Sequence, residues 1–93
     1  MKRWIICYDI SDDRERRRVA KYLESVAERA QYSVFELVCR DNKLVEDVQK
    51  KLTELVLDPS DIRFYPITQQ ALEDCRTLDG KPLLQRPSAV IIV

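Results

Sequence analysis

The sequence predicts an α+β fold in which amphipathic helices pack on one antiparallel sheet. Three observations lead there. Residues 3–10, 29–39 and 61–67 are apolar runs with the composition of strands. Residues 12–27 and 43–57 repeat apolar side chains at helical spacing. The two kinds of segment occur in the order strand, helix, extended segment, helix, strand, with a further strand at the C-terminus.

The first run, "RWIICYDI", is β-branched and aromatic and stops at the polar "SDD". Alternation sends Trp4, Ile6 and Tyr8 to one face and Ile5, Cys7 and Asp9 to the other. Both faces are apolar until Asp9, which marks a strand covered on both sides. In residues 12–27, Asp12 is placed to cap a helix, with Glu15 three residues on as in a capping box. Val19, Leu23, Val26 and Ala27 make its apolar stripe, with Ala20 beside it. Residues 29–39 read as extended structure bent near Tyr32 and Ser33 into two short strands. There Tyr32, Val34, Glu36 and Val38 alternate against Ser33, Phe35, Leu37 and Cys39.

In residues 43–57, Leu44, Val48, Leu52, Leu55 and Val56 recur at helical spacing, Asp41 or Asn42 caps the start, and "DPS" ends the helix. Residues 61–67 put Ile62 and Phe64 on one face, and Pro66 near the end suits an edge strand. Residues 68–86 are weakly patterned and hold the only glycine, in the turn sequence "DGKP". The chain closes on "PSAVIIV", a short apolar strand.

This order is that of a ferredoxin-like βαββαβ sandwich with an additional C-terminal strand. Residues 1–67 form the expected core. Residues 68–93 form a turn and a partner-pairing strand of the same domain. Two helices cover one face of such a sheet, and the first strand calls for cover on the other. A second copy supplies it, giving a homodimer with facing sheets. The terminal strand is then a candidate for strand addition to a partner.

Composition narrows the chemistry. The chain has 93 residues, enough for one small domain, and 16 basic residues balance 16 acidic ones. Net charge therefore gives no evidence of a nucleic-acid partner, and such evidence must come from local patterning. Three widely spaced cysteines and no histidine argue against a disulfide framework, a zinc site and Cys–His or Ser–His catalysis. The N-terminal apolar run is too short for a membrane span or signal peptide, so a reduced, cytoplasmic setting is expected.

Local patterning singles out "YDISDDRERRR" at residues 8–18. On a helical wheel Arg14, Arg17, Arg18 and Lys21 share a stripe opposite the apolar one. Arg16 lies inward, over the end of the sheet near Asp9. The ordinary reading of Asp9 is a turn former, and that of the arginines a solvated face. The functional reading makes Asp9 a metal ligand at a strand tip, paired with its copy in the dimer. With oxygen donors alone, such a pair suits Mg2+ or Mn2+. The arginines, with Arg29 and Arg40 flanking the extended segment, then track phosphates. Tyr8 and Ser33 place hydroxyls near the same strands and are, with Asp9, the catalytic candidates, with ordinary strand packing as the competing reading. Phe35 reads as core or dimer contact.

The segments "CYDISDDRERRRVAKYLE", "ERAQYSVFEL" and "DPSDIRFYPI" together resemble the CRISPR-associated protein 2 family. The resemblance spans residues 3–67, and residues 68–93 match only in kind. It implies a ferredoxin-like homodimer with a divalent metal between the two Asp9 carboxylates. It also implies that the dimer bridges the partner integrase, CRISPR-associated protein 1, on duplex DNA during spacer acquisition. Some members are described as metal-dependent endonucleases on single-stranded RNA or duplex DNA. By position, Tyr8, Asp9, Arg16, Arg18, Arg29, Ser33 and Phe35 match the family's functional candidates. Members often carry glycine where this chain has Ala27-Glu28 and Leu37, so the hairpin around Ser33 is expected to be shaped differently. A free-standing toxin-like endoribonuclease, resembling the virulence-associated protein D family, is the alternative.

Overall fold

The computed structural model describes residues 1–83. Strand β1 (Lys2–Tyr8) leads to helix α1 (Asp13–Val26), then to strands β2 (Glu28–Gln31) and β3 (Val34–Cys39). Helix α2 (Asn42–Leu55), a 3-10 turn (Pro59–Asp61), strand β4 (Ile62–Ile67) and helix α3 (Gln69–Asp74) follow. The four strands form one sheet in the order β2-β3-β1-β4, antiparallel throughout. The expected terminal strand at residues 87–93 lies outside the described residues.

Register decides which side chains meet. Ile6 pairs with Phe35 on one side and Phe64 on the other, so Trp4, Ile6, Tyr8, Phe35, Leu37 and Phe64 share a face. That face packs against Val19, Ala20 and Leu23 of α1 and Val45, Val48 and Leu52 of α2. Ile6, Val19, Leu23, Phe35, Leu37 and Val48 are wholly buried. Each contributes about 1.5–3 kcal/mol by leaving water. In α2 the deeply buried residue of the first turn is Val45, with Leu44 half-exposed beside it.

Asp12 caps α1 as expected, its carboxylate accepting the Glu15 N–H at 2.8 Å. The capping box does not close. Glu15 turns inward, 5% exposed, and accepts the N–H of Leu57 at 2.6 Å. The reason is physical: the chain leaving α2 crosses the first turn of α1, and its buried N–H needs an acceptor. Glu15→Ala should therefore cost about 1–3 kcal/mol and Glu15→Gln less, since the amide oxygen can still accept. Thermal melts of both variants check this. Asp41 caps α2, accepting the Lys43 N–H at 3.0 Å.

The β2–β3 hairpin turns without a glycine. Gln31 pairs with Val34 across Tyr32 and Ser33, and the register slips by one residue between Arg29 and Gln31. Among the described residues no non-glycine residue has positive φ, so the turn is not one of the mirror-image types that match strand twist. The bulge at Ala30 takes up the mismatch.

The second sheet face carries Arg3, Ile5 and Cys7 of β1 between Val38, Glu36 and Val34 of β3 and Ile67, Tyr65 and Arg63 of β4. A second copy is expected to cover this face, yet the chain itself covers part of it. Leu72 of α3 is buried, and with Cys75 and Leu83 it lines an apolar groove against Ile5 and Ile67. Val38, on the same face, is also buried. α3 escapes sequence reading because it has six residues, too few for a periodic signal. Among the described residues no helix is long and apolar enough to cross a membrane.

Candidate nucleic-acid interface

β1 ends at Tyr8, and Asp9 follows as an exposed residue. The Asp9 N–H donates to the Asp61 carbonyl at 2.9 Å, which ties the strand tip to the 3-10 turn before β4. Asp58 opens that turn, accepting from the Ser60 N–H at 3.0 Å and the Ser60 hydroxyl at 2.8 Å. Those two bonds hold the Asp58 carboxyl below the ordinary range. Asp9 and Asp61 line a shallow cleft of about 510 Å³ with Cys7, Tyr8, Ser60, Arg63 and Tyr65. Arg63 donates to the Tyr65 hydroxyl at 3.1 Å, a bond that holds it more firmly protonated.

Asp61 is pushed the other way. Partial burial first, then the charges of Asp58, Glu15 and Asp9, raise its pKa. Folding therefore favours the protonated form, so the folded chain gains relative stability as pH falls and loses it as pH rises through the raised value. Asp61→Asn should melt above wild type at pH 7, and the gap should close by pH 3, below the ordinary aspartate range. Equal gaps at both pH values would show that charge is not the cause.

Asp9 fits a hard divalent ion in kind: an exposed carboxylate with a second acid in the same cleft. It does not complete a site alone. Among the described residues no three metal-binding side chains converge. Further ligands must come from a second chain, water or phosphate.

The arginines gather elsewhere. The sequence places Arg16 close to Asp9, but its guanidinium instead donates to the carbonyls of Ile10 at 3.0 Å and Ser11 at 3.3 Å and pairs with Asp13. Asp13 and the Tyr32 hydroxyl hold it above its ordinary pKa. It lines a groove with Tyr8, Arg17, Lys21, Glu24, Arg29 and Tyr32. Arg14 and Arg18 are exposed but lie outside this groove. Arg40 stands beyond the other end of β3, near Lys2, so it does not extend the patch.

Arg29 donates from Nε to the Tyr32 carbonyl at 3.0 Å and lies 3.6 Å from Glu24. Its guanidinium carbon is 5.2 Å from the Tyr32 ring centre and 5.3 Å from that of Phe35. Tyr8 stacks on Phe35 at 6.2 Å, and its hydroxyl donates to the Tyr32 carbonyl at 3.4 Å. Burial pushes the Tyr8 phenol up, and the Arg29 charge offsets part of that. The side chain of Tyr8 thus sits on the helical face, opposite Asp9. Ser33 is half-buried in the turn, and its carbonyl accepts the Tyr8 N–H at 3.2 Å. Phe35 is core.

Asp61 and Tyr32 are among the residues of these surfaces that escape sequence reading, with Arg63 and Tyr65. Asp61 stands in "DPSDIRFYPI" as the acid just before a strand, and Tyr32 at the bend of the extended segment. Both signals are local and say nothing of what faces them.

Fold and site define a small α+β protein with an acidic strand tip on one side of its sheet and a basic, aromatic groove beside its first helix. The family described as CRISPR associated protein Cas2 matches residues 1–75, and the chain belongs to that family. It is 34% identical over 90 residues to a Synechocystis protein named CRISPR-associated endoribonuclease Cas2 2, covering 96% of this chain and 97% of that one. Its fold superposes with TM-score 0.85 on a chain from a structure described as a partial Cas6-RT-Cas1–Cas2 complex, at 26% identity over 92% of this chain and all of the other. Streptococcus pyogenes Cas2 at pH 6.5 gives TM-score 0.66 at 28% identity, over 82% and 98% of the two chains.

Proposed function

We propose that this chain is a cytoplasmic adaptor of CRISPR adaptation: a homodimer that binds duplex DNA and bridges CRISPR-associated protein 1 (Cas1) integrase for spacer acquisition. The observation that carries this is its likeness, over nearly the whole chain, to a protein solved within a Cas1–Cas2 assembly. The strand order β2-β3-β1-β4 with α1 and α2 on one face supports the ferredoxin-like reading. The partly covered second face, with Cys7 and Val34 half-exposed, supports a dimer through that face. Arg14, Arg16, Arg17, Arg18 and Arg29 face the DNA or hold the residues that do, and residues 88–93 pair with a partner.

In such a dimer the two Asp9 carboxylates would be the residues to hold a Mg2+ or Mn2+ ion. When bound, such an ion polarises a phosphate oxygen and activates water. The part of this chain is to present the Asp9 side chain at the strand tip and to fix that tip through the Asp9–Asp61 backbone bond.

A second reading, metal-dependent endonuclease action on RNA or DNA, is favoured by the endoribonuclease names of relatives. It gives Asp9 the metal and assigns Tyr8 and Ser33 to the surrounding strands, as positioning residues.

Mixing the full chain with its cognate Cas1 tests the adaptor reading. A co-eluting complex that inserts a DNA duplex into a repeat array is expected, weakened by deletion of residues 88–93. No complex and no integration, with the integrase shown competent by another adaptor, would leave the free-standing endoribonuclease as the better reading.

A further inference from the structure

The groove between α1 and the β2–β3 hairpin contains an aromatic side chain that packing does not explain. Tyr32 is 69% exposed, yet it is firmly held. Its carbonyl accepts from Arg29 Nε at 3.0 Å and Nη2 at 2.5 Å, and from the Tyr8 hydroxyl. Its ring rests on the Arg29 guanidinium, which rests in turn on Phe35. The result is a layered stack from the buried core to an exposed ring. A ring already fixed in place loses little freedom when a flat ligand settles on it.

The surroundings are cationic although the chain is neutral. Arg16, Arg17, Lys21 and Arg29 line the groove against one carboxylate, Glu24. Arg16 and Arg29 are engaged by the loop and the hairpin. Lys21 and Arg17 are exposed, and among the described residues Arg17 donates from its Nε to the Asp13 carbonyl at 3.3 Å. The groove has a volume of about 400 Å³, room for a nucleotide.

We propose that this groove is a nucleotide subsite: Tyr32 stacks on an unpaired base while Arg17 and Lys21 hold its flanking phosphates. A duplex buries its base faces and offers them only at its ends, whereas a single strand offers one at every residue. The proposal rests on the nucleic-acid-binding reading above and deepens it. It assigns an unpaired segment to the groove, separate from the strand-tip cleft.

The test uses the full chain and a fluorescent single-stranded ten-nucleotide probe, as DNA and as RNA, beside a long blunt-ended duplex of two separate strands. Tyr32→Ala should weaken the tighter-binding single strand roughly 5- to 150-fold, the range for one lost base stack, and leave the duplex affinity unchanged. Tyr32→Phe should keep the wild-type affinity. Lys21→Ala should lower the salt slope by about 0.7, whereas Tyr32→Ala should not move it. An unchanged single-strand affinity in Tyr32→Ala would overturn the subsite while duplex binding still upheld DNA recognition. A loss in Tyr32→Phe as large as in Tyr32→Ala would also overturn it, by assigning the effect to the hydroxyl on Arg16. Wild type binding neither probe would remove both the subsite and the reading beneath it.

Discussion

Phe35→Ala is expected to lower the melting temperature by roughly 12–40 °C, the largest stability loss of any single change considered. Phe35 is wholly buried at the centre of β3, opposite Ile6 and under both helices. Truncating such a ring costs about 3–5 kcal/mol, from lost transfer energy plus the cavity left behind. Domains of this size hold only about 5–15 kcal/mol in total. The effect reaches the surface, because Tyr8 and Arg29 both lean on this ring. Losing it frees the layer beneath Tyr32, so the variant should also bind nucleic acid less well at temperatures where it stays folded. Phe35→Leu keeps much of the volume and should melt between the two. A Phe35→Ala melt within a few degrees of wild type would mean that the neighbouring helices collapse into the space.

Much of this architecture is written in local pattern. The alternation in residues 3–10 gave both faces of β1, and the spacing of Val19 and Leu23 gave the buried side of α1. Asp12 was legible as a cap because its partner is three residues away. Glu15 reads as the second half of a capping box, but its partner, Leu57, lies 42 residues on and leaves no local signal. Arg16 was half legible. Its wheel angle correctly turns it toward the sheet end, where it holds the Ile10 and Ser11 carbonyls. The inference that it meets Asp9 neglects the alternation itself, which sends Tyr8 and Asp9 to opposite faces while α1 covers only that of Tyr8. The role of Tyr32 depends on a turn without glycine and a bulge beside it, and neither has a strong sequence signal.

Asp9→Ala is expected to separate two activities that the sequence leaves joined. Asp9 is exposed, and its only described hydrogen bond comes from its backbone N–H, which alanine keeps. Fold, dimer and complex with Cas1 should therefore survive, and spacer integration with them. Any Mg2+- or Mn2+-dependent cleavage should fall roughly 10²- to 10⁴-fold, the scale of losing several kcal/mol of metal-assisted stabilisation. A melt without substrate gives an independent readout. An ion that binds only the folded dimer raises its stability in proportion to RT ln(1 + [L]/Kd). Millimolar Mg2+ should then raise the melting temperature of wild type but not of Asp9→Ala. In metal-free buffer the variant should melt no lower than wild type, since it removes one of the charges that press on Asp61. A Mg2+ response that persists in Asp9→Ala would move the ion to Asp61 or elsewhere. Failure of integration in a variant that still forms the complex would make the strand-tip carboxylate part of adaptation itself, and the protein more than a scaffold.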